Sequence, residues 1–129
     1  MAQIEFTTTM TQATVDVEQG TTLKAGDTLP VFEAQLLHNG DPYDLTGKTP
    51  ELHMNEEGSD LSSKQIDGVA MTVVDEVDGQ VKYEWSSAET DAEGNYDLEI
   101  VVVDDSTSQE RTFPTDGFVG VRIYEDLQQ

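Results

Sequence analysis

The chain contains no cysteine. That excludes a disulfide framework, a thiol nucleophile and any thiolate metal site. Basic residues are almost as scarce: four lysines and two arginines in 129 residues. Binding to nucleic acid draws on rows of Lys and Arg that displace counterions from phosphates, and six scattered cations form no such row. An anionic membrane surface is disfavoured for the same reason. No nucleic-acid or membrane partner is therefore expected. No apolar run approaches the roughly 18 residues that a membrane-spanning helix needs. Met1 to Gln12 has no basic region, no apolar stretch and no twin arginine, so it does not read as a signal peptide. The expectation is a protein made in the cytoplasm that leaves it only inside a particle.

What is abundant is negative charge. Twenty-seven acidic residues against six basic ones leave a formal net charge of −21. High charge with only 36% hydrophobic residues is one signature of disorder. The placement of the acids argues against it. They alternate with apolar residues, as in Asp97-Leu98, Glu99-Ile100 and Tyr83-Glu84-Trp85, whereas disordered acidic tails cluster their charge and lack aromatics. The alternative is a folded domain adapted to salt. At this charge the compact state repels itself. The screening length falls from roughly 30 Å at 0.01 M salt to roughly 3 Å at 1 M, so stability is expected only where salt is plentiful, as in a salt-in cytoplasm.

Alternation dominates the rest of the chain. Thr14 to Glu18 reads as a first strand and Leu29 to Leu37 as a second, with Pro30 near its start. His38-Asn39-Gly40-Asp41-Pro42 is turn chemistry. Glu51 to Asn55 alternates; Glu56 to Lys64 reads as an exposed loop. Val69 to Val74 is the next strand. Asp78-Gly79 then separates it from Val81-Lys82-Tyr83-Glu84-Trp85, the pattern of a hairpin. Ser86 to Gly94 reads as a loop with one helical turn at Ser87 to Thr90. Tyr96, Leu98, Ile100 and Val102 share one face, and Val119 to Tyr124 closes the domain. No 3.6-residue stripe persists, and no internal repeat appears. The expected fold is an all-β, immunoglobulin-like antiparallel sandwich of about seven or eight strands over residues 13–125. An N-terminal arm, residues 1–12, precedes it and a short tail, residues 126–129, follows.

Candidate chemistry is thin. His38 and His53 are not at ligand spacing, and no transition-metal site is expected. Acid pairs are inevitable among 27 acids, but they fall on solvent faces and in loops, without the cleft that a glycosidase pair needs. Asp91, Glu93 and Asn95, beside Gly94, are the residues that would hold a weakly bound cation, although no twelve-residue calcium loop is present. There is no Gly-x-Ser-x-Gly elbow, phosphate loop or dinucleotide fingerprint. No catalytic residue, cofactor or metal is expected.

Structural signals are stronger. Gly94-Asn95-Tyr96 at a strand start resembles a tyrosine corner, with the hydroxyl bonding back to the preceding loop. Trp85 shares a face with Val81 and Tyr83 and is expected in the core beside Tyr96. Five short segments follow in order: Gly26-Asp27-Thr28-Leu29-Pro30, Leu45-Thr46-Gly47, Val81 to Trp85, Gly94-Asn95-Tyr96 and Thr112-Phe113-Pro114. In that order and spacing the chain, from about Val15 to Ile123, resembles the N-terminal immunoglobulin-like domain of the phage baseplate upper protein family.

The resemblance implies a virion structural protein of a tailed virus that docks onto the particle and carries no catalytic residues. In that family receptor-binding parts follow the domain; none follows Gln129, so the expectation is an adaptor or decoration subunit of a tail, baseplate or capsid vertex. Combined with the acidic composition, it points to a haloarchaeal virus. The expected partners are other virion proteins and further copies of the chain in a ring or vertex assembly. The competing reading is a surface or carbohydrate-binding sandwich module of a halophilic archaeon. That would need a row of exposed aromatics, and only Tyr43 and Phe118 stand outside the presumed inward faces.

Overall fold

The computed structural model describes residues 12–58 and 65–127. Their regular structure is entirely β: eleven strands in two sheets packed as a sandwich, with no helix among the described residues. β1 (Ala13–Gln19), β3 (Phe32–His38), β8 (Gln80–Tyr83) and β7 (Thr72–Asp75) form one sheet in that order, with β4 (Asp41–Pro42) beside β3. The other sheet runs β2 (Thr22–Lys24), β11 (Val119–Tyr124), β9 (Gly94–Asp104), β5 (Lys48–Glu56), β6 (Ile66–Ala70), with β10 (Glu110–Phe113) also on β9.

This is the immunoglobulin arrangement: first, second, fifth and fourth strands face a sheet built on the third, sixth and seventh. The sequence points to seven or eight strands and the structure has eleven, because strands are divided and a short one is added. The first strand changes sheets at Gly20: β1 pairs antiparallel with β3, while β2 pairs parallel with β11. The last strand is interrupted between Phe113, opposite Ile100, and Val119, opposite Leu98, where four extra residues bulge out. The two-residue β4 adds a further segment.

The expected single strand Val69 to Val74 is also divided. β6 belongs to one sheet and β7 to the other, and the buried Met71 is the pivot, its N–H bonded to the Pro50 carbonyl. An apolar run without alternation cannot lie on one half-buried sheet, and it resolves into a crossover. The turn at residues 87–90 is not helical; the Glu89 N–H bonds to the Ser86 carbonyl.

Alternation places the core. Phe32, Ala34 and Leu36 of β3 face Leu52 and Met54 of β5, together with Tyr96, Leu98, Ile100 and Val102 of β9, all buried. Each large apolar side chain withdrawn completely from water contributes about 1.5–3 kcal/mol. Glu33, Glu51, Asp97 and Glu99 occupy the alternate positions, between the buried ones. The acidic surface is thus the outer half of the pleat.

Candidate functional site

The strand register defines two ends. Lys48 lies opposite Asp104 at one, and Glu56 lies opposite Tyr96 at the other. β9 alone, 11 residues long, separates them by roughly 35 Å.

The Tyr96 end carries a tyrosine corner. The Tyr96 hydroxyl donates to the Ala92 carbonyl at 2.8 Å, as its place after Gly94 and Asn95 implies. A second tyrosine reinforces the same loop. Tyr83 donates to Glu89 Oε2 at 2.6 Å, and Glu89 Oε1 accepts the Ser86 N–H at 2.9 Å. Burial pushes the Tyr83 hydroxyl far above its ordinary pKa, and its bond to Glu89 and the negative charge there add to the shift. Burial likewise raises Tyr96, helped by the charges of Glu56 and Asp91. Thr90, fully buried, donates to the Asp27 carbonyl at 2.8 Å, and the Gly26 N–H bonds back to the Thr90 carbonyl at 2.9 Å. Trp85 is buried as its alternation requires. Its ring neighbours are Phe32 and Tyr83, at 6.3 and 5.5 Å, where the sequence pointed to Tyr96.

The candidate cation ligands lie in this region but face a side chain. Arg122 Nη2 is 3.5 Å from Glu93 Oε2, and its Nη1 donates to Asn95 Oδ1 at 3.5 Å. Asp91 is exposed on the preceding turn. A guanidinium therefore supplies the positive charge between Glu93 and Asn95. No group of three His, Asp or Glu among the described residues is placed to hold a metal ion. His53 pairs with Asp67 at 3.5 Å, and His38 sits at the other end of the molecule, edge-on to Tyr43.

That other end receives the chain. The Gln12 N–H bonds to Asn39 Oδ1 and the Asn39 N–H to the Gln12 carbonyl, both at 2.8 Å. Ala13 and Thr115 exchange a further pair of bonds. The expected arm therefore joins the sandwich here; residues 1–11 lie outside the described residues. Beside this junction is a cleft of about 470 Å³ lined by Tyr43, Lys48, Asp104 and Arg111 among others. The Tyr43 ring packs on Phe113 at 5.0 Å. Lys48 Nζ and the Arg111 guanidinium carbon each lie 5.7 Å from its centre. Asp104 forms no ion pair within 4.0 Å with either, although the charge of Lys48 adds a little to the lowering of its carboxyl. Its Oδ1 accepts from Ser106 N, Ser106 Oγ and Thr107 N, and these bonds hold its carboxyl below the usual range.

The edge strands of both sheets carry charge, Asp16 and Glu18 on β1 and Asp75 on β7 in one, Lys24 on β2 and Asp67 on β6 in the other, which discourages indiscriminate edge-to-edge pairing. Among the described residues the exposed aromatics are Phe118, in the bulge, and Tyr124, at the far end of β11. They are too far apart to make the flat row that a sugar platform needs.

A family model described as the BppU N-terminal domain matches residues 1–119. The chain belongs to the BppU N-terminal domain family. This is the phage baseplate upper protein, a structural family that is typically non-enzymatic. A BppU N-terminal domain is a virion component and associates with other virion proteins. No curated protein matches the chain. The match includes the arm and the sandwich as far as Val119, the first residue of β11.

Sequence reading did not find the cleft or the part played by Thr90. Tyr43 and Lys48 lie close together in one segment but Arg111 comes from β10, far along the chain. The only trace was that two of the six basic residues flank turn-rich stretches.

Proposed function

We propose that this BppU N-terminal domain is an assembly subunit of the baseplate of a haloarchaeal tailed virus. It is made in the host cytoplasm and taken into the particle through contacts with other virion proteins and with copies of itself in a ring. Its work is adhesion, with no catalytic step. The family match over residues 1–119 is the observation that carries this reading. The net charge of −21, spread over the outer pleat, supports a host with a salt-rich cytoplasm.

Within this reading residues 1–12 act as an arm that adds a strand to a neighbour. The bonds of Gln12 and Ala13 to Asn39 and Thr115 anchor its root. The test is a chain lacking Met1 to Thr11, which leaves those bonds in place. Circular dichroism in molar KCl is expected to show an unchanged fold, and particles assembled with the truncated protein are expected to carry fewer copies of it. Normal incorporation would refute the role of the arm.

A further inference from the structure

We infer that the Tyr43–Lys48–Arg111 cleft is a carboxylate-binding site, and that its occupant is an acidic side chain of a second copy of this chain. The inference rests on the reading above that the domain works by protein–protein assembly, and it names the surface involved.

The first observation is an imbalance of pairing. Of the five basic residues described, Lys82 and Arg122 have carboxylate partners, Glu84 at 3.7 Å and Glu93 at 3.5 Å. Lys24, Lys48 and Arg111 have none within 4.0 Å among the described residues, and of these three Lys48 and Arg111 lie together. With 27 acids to choose from, two cations converging on one ring yet both left unpaired need a reason.

The second observation is an unspent donor. Arg111 Nε is buried and has no hydrogen-bond partner. A buried N–H of a permanently charged group is costly to leave unsatisfied. The neighbouring His38, its ring edge-on to that of Tyr43, also has a buried and unpartnered Nε2. Two carboxylates line the cleft, Asp104 and Glu110; Asp104 is committed to its own turn through Ser106 and Thr107, and neither lies within 4.0 Å of Lys48 or Arg111. A planar carboxylate entering above Tyr43 would meet an ammonium and a guanidinium fork together, the arrangement that favours charge-assisted pairing.

The occupant follows from charge complementarity. Another copy presents carboxylates almost everywhere, whereas this cleft is where two unpaired cations converge. At the opposite end Glu57, Asp91 and Glu125 are exposed. Seating that end in the cleft of the next copy is a head-to-tail contact. Such contacts generate rings when the rotation closes. Net repulsion between copies opposes this at low salt, so the contact forms where salt screens the long-range field.

The test is sedimentation velocity of the full 129-residue chain across a concentration series in about 1 M KCl, where screening is roughly 3 Å. Wild type is expected to self-associate with concentration. Lys48→Glu and Arg111→Gln are each expected to weaken association about tenfold, the loss of one charge-assisted contact. Lys82→Glu, with the same change in net charge as Lys48→Glu but on β8 outside the cleft, is expected to leave it unchanged. Circular dichroism checks that each variant is folded. A wild type monomeric throughout, or equal weakening by K48E and K82E, overturns the proposal. Titration with sodium acetate forms the second arm. Acetate shifting the Tyr43 ring NMR signals while the chain stays monomeric would also overturn it, by giving the site to a free or foreign carboxylate. Failure of this contact leaves the baseplate reading standing, since incorporation of the chain into particles is measured separately.

Discussion

Replacing Tyr83 by phenylalanine removes one oxygen from a closed bond system and leaves the ring packing intact. The hydroxyl donates to Glu89 Oε2 at 2.6 Å, and the residue is only 7% exposed. Without it, a half-buried carboxylate keeps the Ser86 N–H at 2.9 Å as its other partner and loses its shortest bond. Hydrogen bonds to charged groups contribute about 1.5–3 kcal/mol. Unfolding entropy scales at about 2.1 cal/mol/K per residue, so for this chain the loss corresponds to a fall in Tm of about 6–11 °C. The assay is thermal unfolding in molar KCl followed by circular dichroism. The pH dependence provides a second reading of the same bond. The hydroxyl is held protonated in the folded state by burial first and by Glu89 second. A pKa raised on folding gives stability that is complete below the unfolded value, 10.0, and is lost as pH climbs above it. Wild type should therefore lose its advantage over Y83F progressively above pH 10, with Y83F the flatter curve. A Tm within about 1 °C of wild type at neutral pH, well inside the error of no lost bond, would refute the reasoning.

Two further outcomes are expected. In about 2 M KCl the chain should show a cooperative thermal transition, and at about 0.1 M its Tm should fall sharply as screening of the charges weakens; equal Tm values would mean that the acidic surface does not make folding depend on salt. Gly79→Ala should cost more than Gly47→Ala in urea unfolding. Both positions have positive φ, 69° and 73°, but a Cβ at Gly79 would lie 2.6 Å from the Tyr43 carbonyl, whereas one at Gly47 meets nothing within 4 Å. Strain alone is worth about 1 kcal/mol, so equal losses would show that the Tyr43 approach yields.

Much of the sandwich was legible because period-two alternation is a local property. Val81, Tyr83 and Trp85, like Tyr96, Leu98, Ile100 and Val102, reveal their inward face without knowledge of any partner, and all seven are buried. The tyrosine corner was legible for the same reason, since donor and acceptor lie four residues apart. The two strand interruptions were not. Whether β1 hands over to β2 at Gly20, or Val69 to Val74 splits at Met71, depends on which strand offers free backbone groups on either side.

Asp91, Glu93 and Asn95 show the same division from the other direction. Their spacing offered oxygens near a glycine, and the fold brings Arg122, 27 residues beyond Asn95, to face two of them. Thr90 looks like any loop threonine in sequence, yet it is fully buried on Asp27, 63 residues away. Composition, alternation and turn chemistry by themselves determined the fold class, the acidic exterior and the absence of a nucleic-acid stripe, because each is a sum or a short-range pattern along the chain. Only the tertiary structure decided which cations find partners. Lys48 reaches its place from the start of β5, just after Tyr43, and Arg111 from β10, and a convergence of two distant segments has no signature until the sheets are packed.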